Sequence, residues 1–131
     1  MREMKKIMIV ENEPLNMKLV SDLLEINGFQ TLKAEDADTT FEILKNNHPD
    51  IILMDINLPG TDGVELFKKI REMESFKNTK IVALTSMAMK EDKERIMQVG
   101  FDKYMTKPID TKEFIKNIKE MTSHESGQPR K

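Results

Sequence analysis

The sequence predicts one α/β domain on an open, doubly wound parallel sheet, and three observations predict it. Five short apolar runs alternate with five segments of helical period. That alternation belongs to strand–helix–strand crossovers, whose strands are parallel and covered on both faces. Four of the runs end in residues capable of chemistry, at the edge where such sheets open a crevice.

Ile7 to Val10 is the first strand. Pro14 to Asn27 follows with Leu15, Leu19 and Leu23, joined by Val20 and Leu24, in a helical stripe. Pro14 suits a first helical turn, and Gly28 just past the end suits a C-cap. Gln30 to Lys33 is a short second strand. Ala37, Phe41 and Leu44 mark a second helix that must stop before Pro49. Ile51 to Met54 is apolar throughout, as a strand buried on both faces requires, and Asp55 stands at its end. A carboxylate inside that strand would be costly. Beside Pro59-Gly60 it reaches a crevice open to water and metal, as a turn or cap residue or as a chemical group.

Thr61-Asp62 caps a third helix whose apolar face is Leu66, Phe67, Ile70 and Met73. Ile81 to Leu84 is the fourth strand and ends at Thr85-Ser86. Met89 to Val99 is a weakly amphipathic fourth helix, charged from Lys90 to Arg95. Lys103 to Met105, the fifth strand, runs into Thr106-Lys107-Pro108. Thr111 to Met121 is a fifth helix with Phe114, Ile115, Ile118 and Met121 inward. The polar stretch from Ser123 reads as a disordered tail, residues 123–131, which leaves residues 1–122 as the domain.

Composition narrows the function classes. A chain of 131 residues suffices for one core, and 38% apolar with 34% charged residues gives it a well-solvated surface. A net charge of −2 without a long basic block argues against direct nucleic-acid contact. No apolar run approaches the ~20 residues of a membrane span. The absence of cysteine removes disulfides, thiolate metal sites and thiol nucleophiles. The charged start from Met1 to Lys6 is no signal peptide, and a cytoplasmic location follows as the expectation. The eleven methionines read as adaptable core filler, except Met87 and Met89, whose loop setting suits a partner surface.

Strand ends bring Glu11-Asn12-Glu13, Asp55, Thr85-Ser86 and Lys107 to one edge. A carboxylate nucleophile can accept a phosphoryl group as an acyl phosphate. Such transfer needs a divalent cation, and Mg²⁺ suits oxygen ligands of the kind Glu11, Asp55 and the Asn57 carbonyl offer. The Thr85 hydroxyl and Lys107 ammonium could bind the remaining phosphoryl oxygens. Singly, each also has a structural role open to it: Lys107 could merely neutralise an acidic edge, and Thr85 could cap the next helix.

Val10-Glu11-Asn12-Glu13-Pro14, Met54-Asp55-Ile56-Asn57-Leu58-Pro59-Gly60-Thr61-Asp62-Gly63, Ala83-Leu84-Thr85-Ser86 and Thr106-Lys107-Pro108 resemble the four signatures of response-regulator receiver domains. The resemblance spans roughly residues 5 to 122. Its flanking pattern, with Asn16 and Leu19, looks closest to single-domain receivers of the cell-division regulator type and to receivers of hybrid kinases. It implies a flavodoxin-like sheet of order 2-1-3-4-5 with five helices on both faces. It implies that Asp55 accepts phosphate from a histidine kinase or histidine phosphotransfer protein. Glu11, Asn12, Asp55 and the Asn57 backbone carbonyl would hold Mg²⁺, while Thr85 and Lys107 hold the phosphoryl group.

Tyr104 matches an aromatic that reorients as Thr85 moves, and Lys107-Pro108 matches a cis peptide bond. The output would be binding of a downstream protein by the face of the fourth helix, fifth strand and fifth helix. The chain would act as a monomer or a weak phosphorylation-dependent dimer, off membranes and nucleic acid. It would be no enzyme beyond its own phosphotransfer and autodephosphorylation. His48 and His124 fall in a loop and the tail and are not read as phosphodonors.

Asn12 departs from the pattern, because the family usually places a metal-binding aspartate there. An amide oxygen coordinates without charge, which predicts weaker Mg²⁺ binding and a bias toward an active-like state without phosphate. Glu13 could compensate only by turning back from the helix. Asn12 is also the one feature that supports an alternative, a receiver-like binding module independent of phosphorylation. An aspartyl-phosphate phosphatase would want an acid where Asn57 stands. A flavin module would want a glycine- and hydroxyl-rich loop where Glu11-Asn12-Glu13 stands.

Overall fold

Alternation of side chains along the central strands sets the architecture. In the computed structural model, which describes residues 4–58, 60–86 and 89–123, the strands are β1 (Lys6–Val10), β2 (Gln30–Ala34), β3 (Ile51–Asp55), β4 (Lys80–Thr85) and β5 (Lys103–Thr106). They form one parallel sheet in the order β2-β1-β3-β4-β5. The helices are α1 (Pro14–Ile26), α2 (Ala37–Leu44), α3 (Gly63–Glu72), α4 (Lys90–Val99) and α5 (Thr111–Ser123). Ile7, Ile9, Ile51, Leu53, Val82 and Leu84 pack on one side against Val20 and Leu24 of α1 and Phe114 and Ile118 of α5. Met8, Val10, Ile52, Met54, Ile81 and Ala83 take the other side, under α2, α3 and Ile96 of α4. Each large side chain so buried contributes about 1.5–3 kcal/mol, and the doubly wound reading of the sequence holds.

Helix ends follow their local chemistry. Glu13 caps α1, its Oε1 accepting from Asn16 N at 3.0 Å, and Pro14 opens the helix. Asp36 caps α2 through Thr39 N at 2.8 Å, and Asp62 caps α3 through Val64 N at 2.9 Å. Helix α4 follows Met89 at its N-cap position, where no side chain caps it, and buries Ile96 alone, in line with its weak periodicity. Among the described residues, no helix is long and apolar enough to cross a membrane.

The stripe on α1 divides on folding. Val20 and Leu24 enter the core, while Leu15 and Leu19 remain 75% and 43% exposed. The helix carries two apolar stripes, and only one meets the sheet. Helix α5 runs through Ser123, where the sequence suggested a tail. His124 and the rest of that tail lie outside the described residues, as do Met87 and Pro59.

Two short elements add to the expected set. Asn57–Leu58 pairs with Thr61–Asp62 in an antiparallel ribbon, and Glu74–Phe76 forms a 3₁₀ turn. Arg71 fastens this turn: its Nη1 donates to Phe76 O at 2.9 Å and Thr79 O at 2.6 Å. Its Nη2 reaches Asp102 Oδ2 at 3.2 Å, and its guanidinium lies 5.0 Å from the Phe67 ring centroid.

Candidate functional site

Register alone brings the reactive residues together. Val10 pairs with Met54, so the residues that follow, Glu11 and Asp55, leave neighbouring strands side by side. Asp55 pairs with Leu84, which puts Thr85 one position beyond it. Thr85 in turn pairs with Thr106, the residue before Lys107. Glu11, Asp55 and Thr85 are 1%, 4% and 0% exposed, so this edge is deep.

Lys107 Nζ stands 3.1 Å from Asp55 Oδ2 and 3.1 Å from Glu11 Oε1. The other carboxylate oxygens take backbone donors, Asn57 N to Asp55 Oδ1 and Glu13 N to Glu11 Oε2, each at 3.0 Å. Two carboxylates around one ammonium leave a net negative crevice. Burial pushes the Glu11 carboxyl above its ordinary value; the Asp55 charge acts the same way, and the Glu13 N–H and Lys107 only partly oppose it. Burial would lower Lys107, but the close carboxylates of Glu11 and Asp55 prevail and raise it, so it is a cation at neutral pH.

A cation fits this donor set. Glu11 Oε1 is buried and, although close to Lys107, receives no hydrogen bond of good geometry. Two carboxylates, the Asn12 amide and the Asn57 carbonyl are all oxygen donors, which suits Mg²⁺ with retained waters. Among the described residues, no three His, Asp or Glu gather as a metal-ligand group, so the set is poor in charge. Asn12 is exposed on the loop. Glu13 does not turn back to compensate, because its carboxylate is engaged in capping α1.

The remaining predicted residues lie around this crevice. Lys107 N donates to Thr85 O at 2.9 Å, and the Lys107–Pro108 peptide bond is cis. Tyr104 is half-buried on β5, with Lys93 Nζ 5.3 Å from its ring centroid. Thr85 does not cap α4, which begins at Lys90.

Sequence reasoning missed Gly63. A Cβ there would fall 2.7 Å from Ile56 Cα, 2.8 Å from Asp55 O and 2.9 Å from Ile56 O. Gly63 N also donates to Ile56 O at 2.9 Å. The glycine lets α3 start against the strand end that carries Asp55. In sequence it appears only as the last residue of the signature that begins at Met54, directly after the Thr61-Asp62 cap, with nothing to show its packing role.

Comparison with known proteins agrees with this geometry. The model of the response regulator receiver domain matches residues 7–119. The polar-differentiation response regulator DivK of Brucella ovis is 42% identical over 115 residues, 88% of this chain and 94% of that protein. The Brucella anthropi DivK is 40% identical over the same span. Among solved structures, the Vibrio cholerae chemotaxis response regulator CheY4 superposes with a TM-score of 0.85 at 25% identity, covering 91% of this chain and 99% of that one. The receiver domain of a Pseudomonas aeruginosa sensor histidine kinase, described with a magnesium ion in its active-site cleft, gives 0.82 at 28% identity over 91% and 98% of the two chains. Since the family match takes in all four functional strand ends, the chain belongs to the response regulator receiver domain family.

Proposed function

We propose that this receiver takes a phosphoryl group onto Asp55 from a phosphohistidine of a histidine kinase or histidine phosphotransfer protein and then switches its binding to a downstream protein. The observation that carries the reading is the Lys107 ammonium, 3.1 Å from both buried carboxylates. A nucleophile, an anion-binding cation and a second acid share one crevice. An Asp55 oxygen attacks phosphorus, and the new P–O bond forms as the P–N bond to imidazole breaks. The leaving imidazole nitrogen takes a proton from solvent.

Lys107 neutralises the incoming phosphoryl oxygens, and the Thr85 hydroxyl donates to another of them. Glu11, Asp55, the Asn12 amide and the Asn57 carbonyl hold Mg²⁺, which when bound supplies the charge that gathers those oxygens. The magnesium-bearing Pseudomonas relative supports this assignment. Leu15 and Leu19, exposed on α1 just past the Glu11 loop, offer an apolar landing for the donor's helices. The output face is α4, β5 and α5, where Lys93, Tyr104, Thr106 and Glu113 line a groove of about 530 Å³. The protein works in the cytoplasm, as a monomer or a weak dimer formed on phosphorylation.

Intact-mass spectrometry with acetyl phosphate and Mg²⁺ tests the reading. One phosphoryl adduct on the wild type and none on Asp55→Ala is the expected result. An adduct on Asn12→Asp but not on the wild type would favour a receiver-like binding module that no longer depends on phosphorylation.

A further inference from the structure

Helix α4 is held to the sheet weakly. It buries one residue, Ile96, and lacks a side-chain N-cap. Above Ile96 lies a contact of a different kind, the Lys93 ammonium over the Tyr104 ring at 5.3 Å from the centroid. Lys93 is half-buried and, among the described residues, makes no ion pair. Its neighbour Asp92 faces Arg95 instead, at 3.6 Å. Among the described residues the ring is therefore the one side-chain partner of a cation that has already lost part of its water.

Tyr104 shares its sheet face with the phosphoryl-binding threonine. Ala83 pairs with Tyr104 and Thr85 with Thr106, so Thr85 and Tyr104 lie diagonally across adjacent strands. Ala83 and Tyr104 both belong to the core under α2, α3 and α4, and Thr85, two residues after Ala83, points the same way. A shift of Thr85 toward a phosphoryl group on Asp55 changes the space beside this ring.

We infer that Lys93 is a positioning residue for the switch: its ammonium holds the Tyr104 ring against α4 and so stabilises the unphosphorylated arrangement. The inference rests on the phosphorylation switch proposed above and adds what sets its resting balance. When the ring leaves α4 the contact is lost, so Lys93 weights one state only. The weighting is about two- to five-fold, the factor equivalent to the ~0.5–1 kcal/mol of a partly exposed cation–π contact. Loss of Lys93 relaxes the resting state by that factor and tightens binding of any ligand that selects the active state by the same factor.

The chain suits a direct test, because Tyr104 is its single tyrosine and it has no tryptophan. 3-Fluorotyrosine introduced there gives one fluorine resonance, followed while the full chain is titrated with beryllofluoride, a phosphoryl mimic, in Mg²⁺. The expected result is a midpoint two- to five-fold lower for Lys93→Met than for the wild type, with Lys93→Arg, which keeps a cation over the ring, at the wild-type value. Simple removal of a positive charge would weaken binding of an anion and raise the midpoint, so the sign separates the two effects. An unchanged or raised midpoint for Lys93→Met, or an Arg variant that behaves like Met, overturns the role of Lys93. A wild-type resonance that ignores beryllofluoride overturns the switch itself, and the inference with it.

Discussion

Replacing Gly63 by alanine sets two physical effects against each other. At the first position of α3, alanine is favoured over glycine by up to about 1 kcal/mol in helix propensity. The added Cβ, however, would lie 2.7 Å from Ile56 Cα and under 3.0 Å from two backbone carbonyl oxygens, where ordinary contact begins at 3.4 Å. The helix start and the β3 end must therefore separate by about 0.7 Å (3.4 minus 2.7). No flexible side chain is available to yield, and overpacking of this kind costs about 1–3 kcal/mol. The net expectation is a destabilisation of about 1–2 kcal/mol.

Unfolding entropy of about 2.1 cal/mol/K per residue over 131 residues converts this loss to a fall in Tm of about 4–7 °C. Because Asp55 O is one of the crowded atoms, phosphorylation by acetyl phosphate should also slow. Gly28→Ala is the control: nothing lies within 4 Å of its Cβ, but φ is +92°, so it loses stability by backbone strain alone and phosphorylates normally. Thermal unfolding of both variants is the assay. A Gly63→Ala protein as stable as the wild type, or more so, would refute the packing argument.

Three further expectations concern charge. Arg71→Ala removes a donor from the Phe76 and Thr79 carbonyls and from the Asp102 carboxylate, which keeps only Ile81 N at 2.8 Å, and should cost about 2–3 kcal/mol in denaturant unfolding; Arg71→Lys, lacking the planar fork, should restore little of it. For Glu11, whose carboxyl is raised by burial, protonation stabilises the fold fully below its ordinary value near 4.5, and that contribution disappears as pH rises through the raised value. Glu11→Gln should therefore raise Tm at pH 7 in the absence of metal, with a smaller gain near pH 4.5; equal gains at both would contradict the assignment. Asn12→Asp adds a third carboxylate and should lower the Mg²⁺ concentration needed for a given rise in Tm several-fold, with chelator abolishing the rise.

Patterns repeated over several residues were legible from sequence, and single contacts were not. The runs Ile7 to Val10, Ile51 to Met54 and Ile81 to Leu84 announce buried strands because both faces of each need apolar side chains. The weak stripe of α4 matches a helix that buries only Ile96. Periodicity failed on α1, where it reveals an apolar stripe but not what faces it, so Leu15 and Leu19 could not be told from Val20 and Leu24. The ribbon between Asn57–Leu58 and Thr61–Asp62 is too short to have a period. Arg71 and Gly63 act on backbone atoms distant or hidden in sequence, so composition carries no trace of them. At the site, strand-end chemistry pointed to Glu11, Asp55, Thr85 and Lys107 as a set. It did not reveal that Lys107 bridges both acids or that Glu13 is committed to capping.

The central claim is that Asp55 is the phosphoryl acceptor, and chemical trapping addresses it most directly. Protein treated with acetyl phosphate and Mg²⁺ is reduced with borohydride, which converts an acyl phosphate to an alcohol, and its peptides are sequenced by mass spectrometry. Homoserine in place of aspartate at residue 55, and at no other acid, is the predicted result. Homoserine elsewhere, or unmodified Asp55 in a protein that carries phosphate, would contradict the account.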